Sequence, residues 1–350
     1  IGATFMYLQN YYMQNTPLGY DKDEIIITNM NNNIRKSRDA FASQVKSFSG
    51  IEEVTYAEML LSSQDQYMGW GRKYRDKDIQ FQCLPVEPSF LKVMNVKISE
   101  GRDFREEDKA KRYGTFVFNE RARTEYGLEI GSLIDSMEIV GFMPDVKFAS
   151  FRTEVTPMAF FVWGTNNWGN QPNYAYIKVK AGSDLRGAMQ HVKTTLQSFD
   201  PEYPFNVRFF DEVLNGLYEK ERSLSSLITL FSLIAIFISV VGVFGLVVFD
   251  SEYRKKEIGI RKVLGSTTEE IIVMFNKTYI RILCVCFVLG APIAGYVVHR
   301  WLENFAYKTP MYWWVYLIAF AIIAVITILT VTFQNWRAAN ENPVHSIKNE

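Results

Sequence analysis

Three uncharged apolar runs near the end of this 350-residue chain restrict its fold more than any other feature. Residues 223–249 and 309–336 contain no charged side chain, and residues 282–298 are uncharged with Arg281 next to their start. A bilayer core about 30 Å thick needs about 20 apolar helical residues to cross it. The sequence therefore predicts three membrane-spanning helices, at 224–249, 278–300 and 312–334.

Basic residues set the orientation of these spans. The segment between the first two spans carries six of them, whereas residues 302–311 carry only Lys308. The six are Arg254, Lys255, Lys256, Arg261, Lys262 and Lys277. An excess of Lys and Arg marks the cytoplasmic side of a membrane. We therefore expect residues 251–277, here called the elbow, and the tail at 335–350 to be cytoplasmic, and the region before residue 223 to lie outside.

Aromatic residues at the other end of the spans agree with this orientation. Five of them lie around the short loop 301–311, where an interfacial belt is expected: Trp301, Tyr307, Tyr312, Trp313 and Trp314.

The chain begins IGATFMYLQNYYM, without the basic start or cleavage-site pattern of a signal peptide. An external domain must nevertheless cross the membrane during synthesis. Residues 1–8 are therefore expected to be the outer end of a spanning helix that is otherwise missing, which predicts that the chain is part of a longer protein.

Residues 9–222 alternate between β-rich runs and helical patterns. Apolar or alternating runs predict strands at 25–28, 53–57, 79–86, 115–118, 137–142, 158–163, 174–180 and 206–210. Helices are predicted near 34–48, 88–95, 119–126 and 183–198, with Asn119 and Ser183 as N-caps. This density predicts an α+β or split βαβ domain with two lobes, which is large enough to bury its own core.

No catalytic motif or metal cluster is visible in the sequence. Serine-hydrolase and zinc-protease signatures are absent, and His191, His299 and His345 are scattered. Cys284 and Cys286 lie within a span, where packing is favoured over metal binding. We therefore expect no enzyme, no cofactor in this chain and no nucleic-acid partner.

Two polar loops carry aromatic residues that could contact an external partner. Residues 62–78 contain Trp70 and Tyr74, and residues 163–173 contain Trp168. Exposed rings of this size are typical anchors of interfaces. The alternative is that they fold back onto the domain.

A continuous helix is predicted to join the external domain to the first span. From Asp211 as N-cap, no proline interrupts the chain before Asp250. About 40 residues at 1.5 Å each form a rod of about 60 Å, twice the bilayer core. Such a stalk would transmit displacement, although it would also serve as a simple connection.

The elbow contains its own start and stop signals. Gly265 is predicted to end one short helix, and the capping box Ser266–Glu269 to open the next. Ile260, Leu264, Ile271 and Phe275 are spaced to form one apolar stripe. Contact with lipid and docking to a protein both remain open for a basic amphipathic segment of this kind.

The elbow sequence EYRKKEIGIRKVLGSTTEEII closely resembles the cytoplasmic loop of MacB/FtsX-type ABC-transporter permeases, with the pattern R-x-K-E-I-G-I-R-K-x-L-G-A. The matching residues are Arg254, Lys256, Glu257, Ile258, Gly259, Ile260, Arg261, Lys262, Leu264 and Gly265, while Ser266 replaces the usual alanine. Further segments, among them SFLKVMNVKISEGRDF and the tail NWRAANENPVHSIKNE, are similar to the MacB-like periplasmic core and the closing segment of these permeases. The chain looks especially like the second half of tandem Bacteroidetes-type permeases.

The resemblance implies a permease subunit that couples ATP hydrolysis by a separate cytoplasmic ABC ATPase to movement of the external domain, for efflux or for lipoprotein or peptide export. It implies a bacterial inner-membrane, multi-pass protein with a second permease unit, a periplasmic adaptor or outer-membrane partner, and membrane lipid as further contacts. An FtsX-like regulator of a cell-wall hydrolase, or a sensor of an external ligand, is the alternative.

The resemblance assigns coupling to the ATPase to a set of elbow residues: Arg254, Lys256, Glu257, Gly259, Ile260, Arg261, Leu264 and Gly265. Glu257 and Arg261 are one helical turn apart, so pairing with each other is the alternative for these two. No G-x-x-x-x-G-K-[ST] phosphate loop occurs in the sequence. ATP and Mg²⁺ are therefore expected on the partner ATPase.

These expectations divide the chain into eight segments. They are 1–8 (end of a truncated span), 9–222 (MacB-like core), 223–250 (span with stalk), 251–277 (elbow), 278–300 (span), 301–311 (external loop), 312–334 (span) and 335–350 (tail).

Overall fold

The computed structural model describes residues 1–62, 68–147, 150–166, 171–254, 257, 260–261 and 264–339. It forms two compact units, which we describe separately. The mixed unit comprises Asn15–Lys220, and the helical unit comprises Ile1–Gln14 with Glu221–Glu350. The sequence-based boundaries of the external domain, 9 and 222, lie six and two residues from this division.

The elements are numbered in chain order. The strands are β1 (Ile25–Asn29), β2 (Ile51–Ala57), β3 (Met68–Tyr74), β4 (Lys77–Pro85), β5 (Glu100–Gly101), β6 (Thr115–Asn119), β7 (Leu133–Ile134), β8 (Met137–Met143), β9 (Met158–Val162), β10 (Tyr174–Val179) and β11 (Arg208–Phe209). The helices are α1 (Gly2–Asn15), α2 (Asn32–Lys36), α3 (Arg38–Lys46), α4 (Phe90–Val93), α5 (Glu120–Tyr126), α6 (Leu185–Phe199), α7 (Phe210–Leu217), α8 (Glu219–Tyr253), α9 (Thr268–Leu302) and α10 (Trp313–Ala339).

The mixed unit contains two sheets. Four antiparallel strands form the first, in the order β11-β1-β10-β2. The second has the order β3-β4-β9-β6-β8-β5, with β7 paired to β8, and it mixes parallel with antiparallel neighbours. The α+β class predicted from the sequence is confirmed.

Each sheet buries one face in a hydrophobic cluster of its own, and a third cluster lies between the sheets. Ile26 and Ile177 of the first sheet pack with Phe41 of α3. Ile27, on the opposite face of β1, joins Phe160 of the second sheet in the shared cluster. This alternation along β1 follows the two-residue period of a strand buried on both faces. The shared cluster makes the two sheets parts of one packed unit.

Of the two predicted helix caps in the mixed unit, one is observed and the other is not. Asn119 caps α5 as predicted, since its Oδ1 accepts a hydrogen bond from the amide of Ala122 at 3.1 Å. The prediction that Ser183 caps α6 is wrong. Asp184 does so, accepting from the amides of Arg186 at 3.1 Å and Gly187 at 3.0 Å. Both residues are good caps, and the sequence alone does not separate neighbours.

The predicted unbroken stalk is wrong. Helix α7 begins at Phe210, so Asp211 lies inside its first turn, and α8 starts only at Glu219. Tyr218 separates them with φ −112° and ψ 12°. Its hydroxyl accepts a hydrogen bond from the amide of Phe151 at 3.1 Å, and the two rings are 6.1 Å apart. This tertiary contact accompanies the interruption of the helix, which local propensity did not reveal.

The helical unit contains three helices long and apolar enough to cross a membrane: Glu219–Asp250, Thr268–Leu302 and Trp313–Trp336. A helix is therefore present at each of the three predicted spans, and each helix extends beyond its apolar run. Helix α9 continues through Pro292 and contacts α10, for example between the rings of Phe287 and Phe320 at 5.0 Å. In this unit, Phe5 of α1 is buried with Val298 and Leu302 at the end of α9.

Candidate functional site

A row of alternating charges runs from the end of the first span segment into the described part of the elbow. Asp250, Arg254, Glu257 and Arg261 follow each other at spacings of four, three and four residues, which place them on one helical face. Arg254 Nε lies 2.9 Å from Asp250 Oδ1, and Arg261 Nη2 lies 2.6 Å from Glu257 Oε1. The internal pairing that the sequence left open for Glu257 and Arg261 is therefore present.

This row packs on the first turns of α9. The guanidinium carbon of Arg254 lies 5.8 Å from the centre of the Phe275 ring, and Arg261 Nη1 contacts the sulfur of Met274. The hydrogen bond and charge of Asp250 raise the pKa of the Arg254 guanidinium, which stays charged. Each ion pair forms within the segment before α9, and the two arginines of these pairs also contact Phe275 and Met274 in the first turns of α9.

The predicted apolar stripe of the elbow is wrong, because its four residues separate into two pairs. Ile271 and Phe275 are buried in a cluster with Val247 of α8. Ile260 and Leu264 are 55% and 79% exposed, one helical turn apart. Two aliphatic side chains therefore project from the elbow on a segment anchored by its charged row.

A left-handed glycine ends the helical turn before α9. Gly265 has φ +97°, and the amide of Ser266 donates to the carbonyl of Arg261 at 2.9 Å. This is the long-range bond of a Schellman motif, which favours glycine at that position. The predicted break at Gly265 is confirmed.

The capping box begins one residue later than predicted. Thr267 Oγ1 accepts from the amide of Glu270 at 3.2 Å, and Glu270 Oε2 accepts from the amide of Thr267 at 3.0 Å. Ser266 is thus not the cap. Of the other predicted coupling residues, Lys256 and Gly259 lie outside the described residues, as do Ile258 and Lys262 of the family pattern and tail residues 340–350.

The expectation that Trp70 and Tyr74 are exposed contacts is wrong. Trp70 is 5% exposed, and its ring lies 5.2 Å from Phe161 and 5.9 Å from Trp163. Tyr74 is 2% exposed, and its hydroxyl lies 3.2 Å from Ser132 Oγ. Both rings fold back into the core of the second sheet, the alternative that the sequence allowed. Trp168 lies outside the described residues.

A glutamine clamp at the other end of the helical unit was missed. Gln9 of α1 has no exposed surface. Its Nε2 donates to the carbonyl of Tyr307 at 3.0 Å, and its Oε1 accepts from the amide of Thr309 at 2.8 Å. Gln9 lies one turn from the buried Phe5, but the sequence does not set it apart from the other polar residues of α1, and its partners are about 300 residues away. We call this pair of bonds the Gln9 clamp.

The perturbed acidic groups of the mixed unit have structural partners. Burial alone would raise the pKa of Asp108, but hydrogen bonds from Arg102, the Arg105 amide and Lys111 outweigh it and lower that pKa. Burial raises the pKa of Glu58, which accepts a hydrogen bond from the indole of Trp163 at 2.9 Å. Among the described residues, no three His, Cys, Asp or Glu side chains are grouped to hold a metal ion.

Comparison with known families matches both parts of the chain. The MacB-like periplasmic core domain matches residues 8–195, and the FtsX-like permease C-terminal domain matches residues 229–343. These are the sheet-bearing segment and the segment with the apolar helices and the elbow. The chain therefore belongs to the MacB/FtsX-type permease family.

Among curated proteins, the macrolide export ATP-binding/permease protein MacB of Chromobacterium violaceum is 23% identical over 230 residues. MacB of Escherichia coli K12 is 23% identical over 233 residues. In both cases the match covers 63% of this chain and 35% of the relative. The chain thus spans about a third of the length of these relatives.

Solved structures similar to the chain include the periplasmic region of MacB from Actinobacillus actinomycetemcomitans. It is 13% identical, with a TM-score of 0.41, and the match covers 57% of this chain and 95% of that one. The extracellular domain of the noncanonic ABC-type transporter YknZ from Gram-positive bacteria is 11% identical, with a TM-score of 0.38, and the match covers 53% of this chain and 99% of that domain.

Proposed function

We propose that the chain is a permease subunit that couples a separate cytoplasmic ABC ATPase to movement of the mixed unit, outside a bacterial inner membrane. Family membership implies the ATPase partner, and the permease subunit itself performs no chemistry in this scheme. A second permease unit and an adaptor or outer-membrane partner would complete the assembly, which would serve efflux or the export of lipoproteins or peptides.

The observation that carries this proposal is the exposed pair Ile260 and Leu264 on an anchored elbow. An aliphatic pair one turn apart fits a groove on a partner, since helices commonly dock through such anchors. The ion pair between Glu257 and Arg261 and the contacts to α9 fix the segment that carries the pair. A load applied to Ile260 and Leu264 would therefore be passed to α9 rather than absorbed by the part of the elbow that precedes it.

The charge row makes a second contribution. Arg261 and Glu257 are each 42% exposed, so the side chains that pair with each other also face outward. Charges at the rim of an interface mainly set specificity and association rate. In this proposal, Ile260 and Leu264 supply most of the affinity for the ATPase, and Glu257 and Arg261 set the orientation in which it binds.

ATP hydrolysis by the ATPase that co-purifies with the full chain, measured in nanodiscs, tests the docking role. Leu264→Asp and Ile260→Asp should each abolish the stimulation of hydrolysis by the permease. Leu133→Asp is the matched control, because Leu133 is 59% exposed in the mixed unit. Stimulation that survives both elbow variants would refute the docking assignment.

A charge swap separates internal pairing from docking. The double variant Glu257→Lys/Arg261→Glu keeps an i,i+4 ion pair but reverses the charges shown to the partner. We expect normal membrane insertion and lost stimulation. Normal stimulation by this variant would mean that the pair is purely internal.

Cysteine labelling tests the orientation. With Cys284 and Cys286 replaced by alanine, Glu107→Cys should react with a membrane-impermeant maleimide on the outer face of the inner membrane. Leu264→Cys should react only after that membrane is permeabilised. Labelling of both from the same side would contradict the proposed topology.

A further inference from the structure

Strand β3 forms one edge of the second sheet, with β4 as its ladder partner. Tyr74 of β3 lies opposite Lys77 of β4 across a two-residue turn. The N–H and C=O of Tyr74 therefore both point toward β4 and bond to the backbone of Lys77. Because such pairs alternate along antiparallel strands, every second residue of β3 directs its N–H and C=O away from β4. These outward residues are Gly69, Gly71 and Lys73.

The glycine half of this edge is unpaired. Within the described part of the chain, no hydrogen bond reaches the amide of Gly69 or Gly71. The carbonyl of Gly71 accepts from the guanidinium of its neighbour Arg72 at 2.9 Å. Two adjacent outward positions therefore keep free amide donors.

The other half of the edge is protected. Arg72 pairs with Asp135 at 3.4 Å, and Arg75 pairs with Glu129 at 2.6 Å. Natural sheets commonly guard an exposed edge with charged residues in this way. Arg72 also bonds the Gly71 carbonyl and lies 4.5 Å from the centre of the Trp70 ring, but no charged side chain bonds the amides of Gly69 and Gly71 in the described part of the chain.

A groove runs across the outer face of β3 and β4 beside the free amides. Its volume is about 590 Å³, within the usual range for binding sites. Gly69 and Gly71 form part of its floor, and a methyl group added at either would meet no atom within 4 Å. No charged residue lines the groove: Trp70, Phe81 and Pro157 join four polar residues, Gln80, Gln82, Tyr126 and Thr156, and Gln82 donates to Thr156 Oγ1 at 2.9 Å.

We propose that β3 accepts an extended peptide segment of another protein as an added strand. The peptide would accept from the amides of Gly69 and Gly71 and donate to the carbonyl of Gly69, the arrangement known as β-augmentation. Side chains on neighbouring strands of one face lie about 5 Å apart. A peptide side chain opposite a glycine would therefore lean into the groove, where uncharged polar groups fit its lining.

A second copy of this chain fits the groove less well. If β3 paired with β3 of another copy, glycines would face glycines and no side chain would fill the space above them. The groove therefore favours a strand that carries side chains opposite Gly69 and Gly71. This inference does not depend on the elbow or on an ATPase.

The test compares Gly71→Pro with Gly71→Ala in the full chain held in nanodiscs. An added Cβ at position 71 meets no atom within 4 Å, and only proline removes the outward amide, which takes no part in the ladder to β4. A random 12-residue peptide library displayed on phage supplies the probe. Enriched peptides should bind Gly71→Ala within about threefold of the wild type and Gly71→Pro about tenfold or more weakly.

Hydrogen exchange gives the direct readout. The enriched peptides, added as synthetic peptides, should slow exchange of the Gly69 and Gly71 amides and leave β10 unchanged. Gly69→Phe, which fills the groove while keeping its amide, should also weaken binding and serves if Gly71→Pro does not fold. The proposal is overturned if no peptide is enriched, if Gly71→Pro and Gly69→Phe both bind normally, or if these amides become protected without peptide as protein concentration rises, which would indicate a second copy.

Discussion

Replacing Gln9 by leucine tests whether a single side chain holds α1 to the loop after α9. Leucine is similar in size to glutamine, although slightly larger, and it removes both hydrogen bonds of the Gln9 clamp. Thr309 is 4% exposed, so its amide would be left without a partner in a buried site. An unsatisfied buried donor costs about 1–3 kcal/mol, and the lost bond to the Tyr307 carbonyl adds about 1 kcal/mol. The local cost is therefore about 2–4 kcal/mol.

Hydrogen exchange at the Thr309 amide measures this cost. Since each 1.4 kcal/mol is a factor of ten, Gln9→Leu should speed exchange by about 30- to 700-fold. Gln14→Leu is the matched control, because Gln14 is an exposed glutamine on the same helix. An exchange rate that changes by less than about threefold in Gln9→Leu would show that the clamp carries little energy.

Gln9→Glu adds a pH-dependent version of the same test. A protonated carboxyl can reproduce both bonds, donating to the Tyr307 carbonyl and accepting from the Thr309 amide. The ionised form cannot donate, and burial raises the pKa of such a group. The stabilisation should be complete below the pKa of the unfolded chain and lost as pH rises through the higher folded pKa. After correction for intrinsic rates, the Thr309 amide of Gln9→Glu should exchange slowly at low pH and fast at neutral pH. If the ratio of its exchange rate to that of the wild type does not change with pH, the two hydrogen bonds of the Gln9 clamp are refuted.

Two further predictions concern the elbow and the mixed unit. Gly265→Ala forces an L-residue to φ +97°, which should destabilise the elbow by about 1–2 kcal/mol. Trypsin cleavage after Arg261 should therefore rise several-fold in Gly265→Ala and less in Gly265→Asn. Equal cleavage of the wild type and both variants would contradict the left-handed conformation of Gly265. Asp108 is 1% exposed and bonded to Arg102 at 2.8 Å, so Asp108→Asn should destabilise the protein by about 3 kcal/mol at neutral pH in denaturant titrations. Because folding lowers the pKa of Asp108, its stabilisation is present above the pKa of the unfolded chain and is lost as pH falls through the folded pKa. The difference in unfolding free energy between wild type and variant should therefore shrink below about pH 4. A difference that does not change with pH would refute this role of Asp108.

The features predicted well from the sequence are those that one local segment decides. The three spans follow from uncharged runs, because a bilayer leaves no other solution for them. Gly265 and Asn119 act on the backbone within a few residues. Such interactions form between residues close together in the sequence, so they can be predicted without knowing the fold.

The features that were missed depend on partners far away in the chain. The sequence predicts a polar loop at 62–78, because Gly69 and Gly71 weaken the strand pattern of β3, yet Trp70 and Tyr74 point inward into the core of the second sheet. Tyr218 interrupts the stalk where it meets Phe151, and Gln9 binds a loop about 300 residues away. Sequence spacing carries no information about such contacts, so the expected exposure of Trp70 and Tyr74 was wrong as well.

The break at Tyr218 changes the route by which the proposed coupling would run. The α7–α8 stalk is not one rod, whereas α9 is continuous over 35 residues, about 50 Å. Its first turns hold the elbow through Met274 and Phe275, and the loop after its end holds α1 through the Gln9 clamp. Helix α1 leads directly into Asn15, where the mixed unit begins. Under the proposed function, α9 and the clamp therefore form a second connection from elbow to mixed unit, so Gln9→Leu should reduce coupling to external movement while leaving stimulation of the ATPase at the elbow intact.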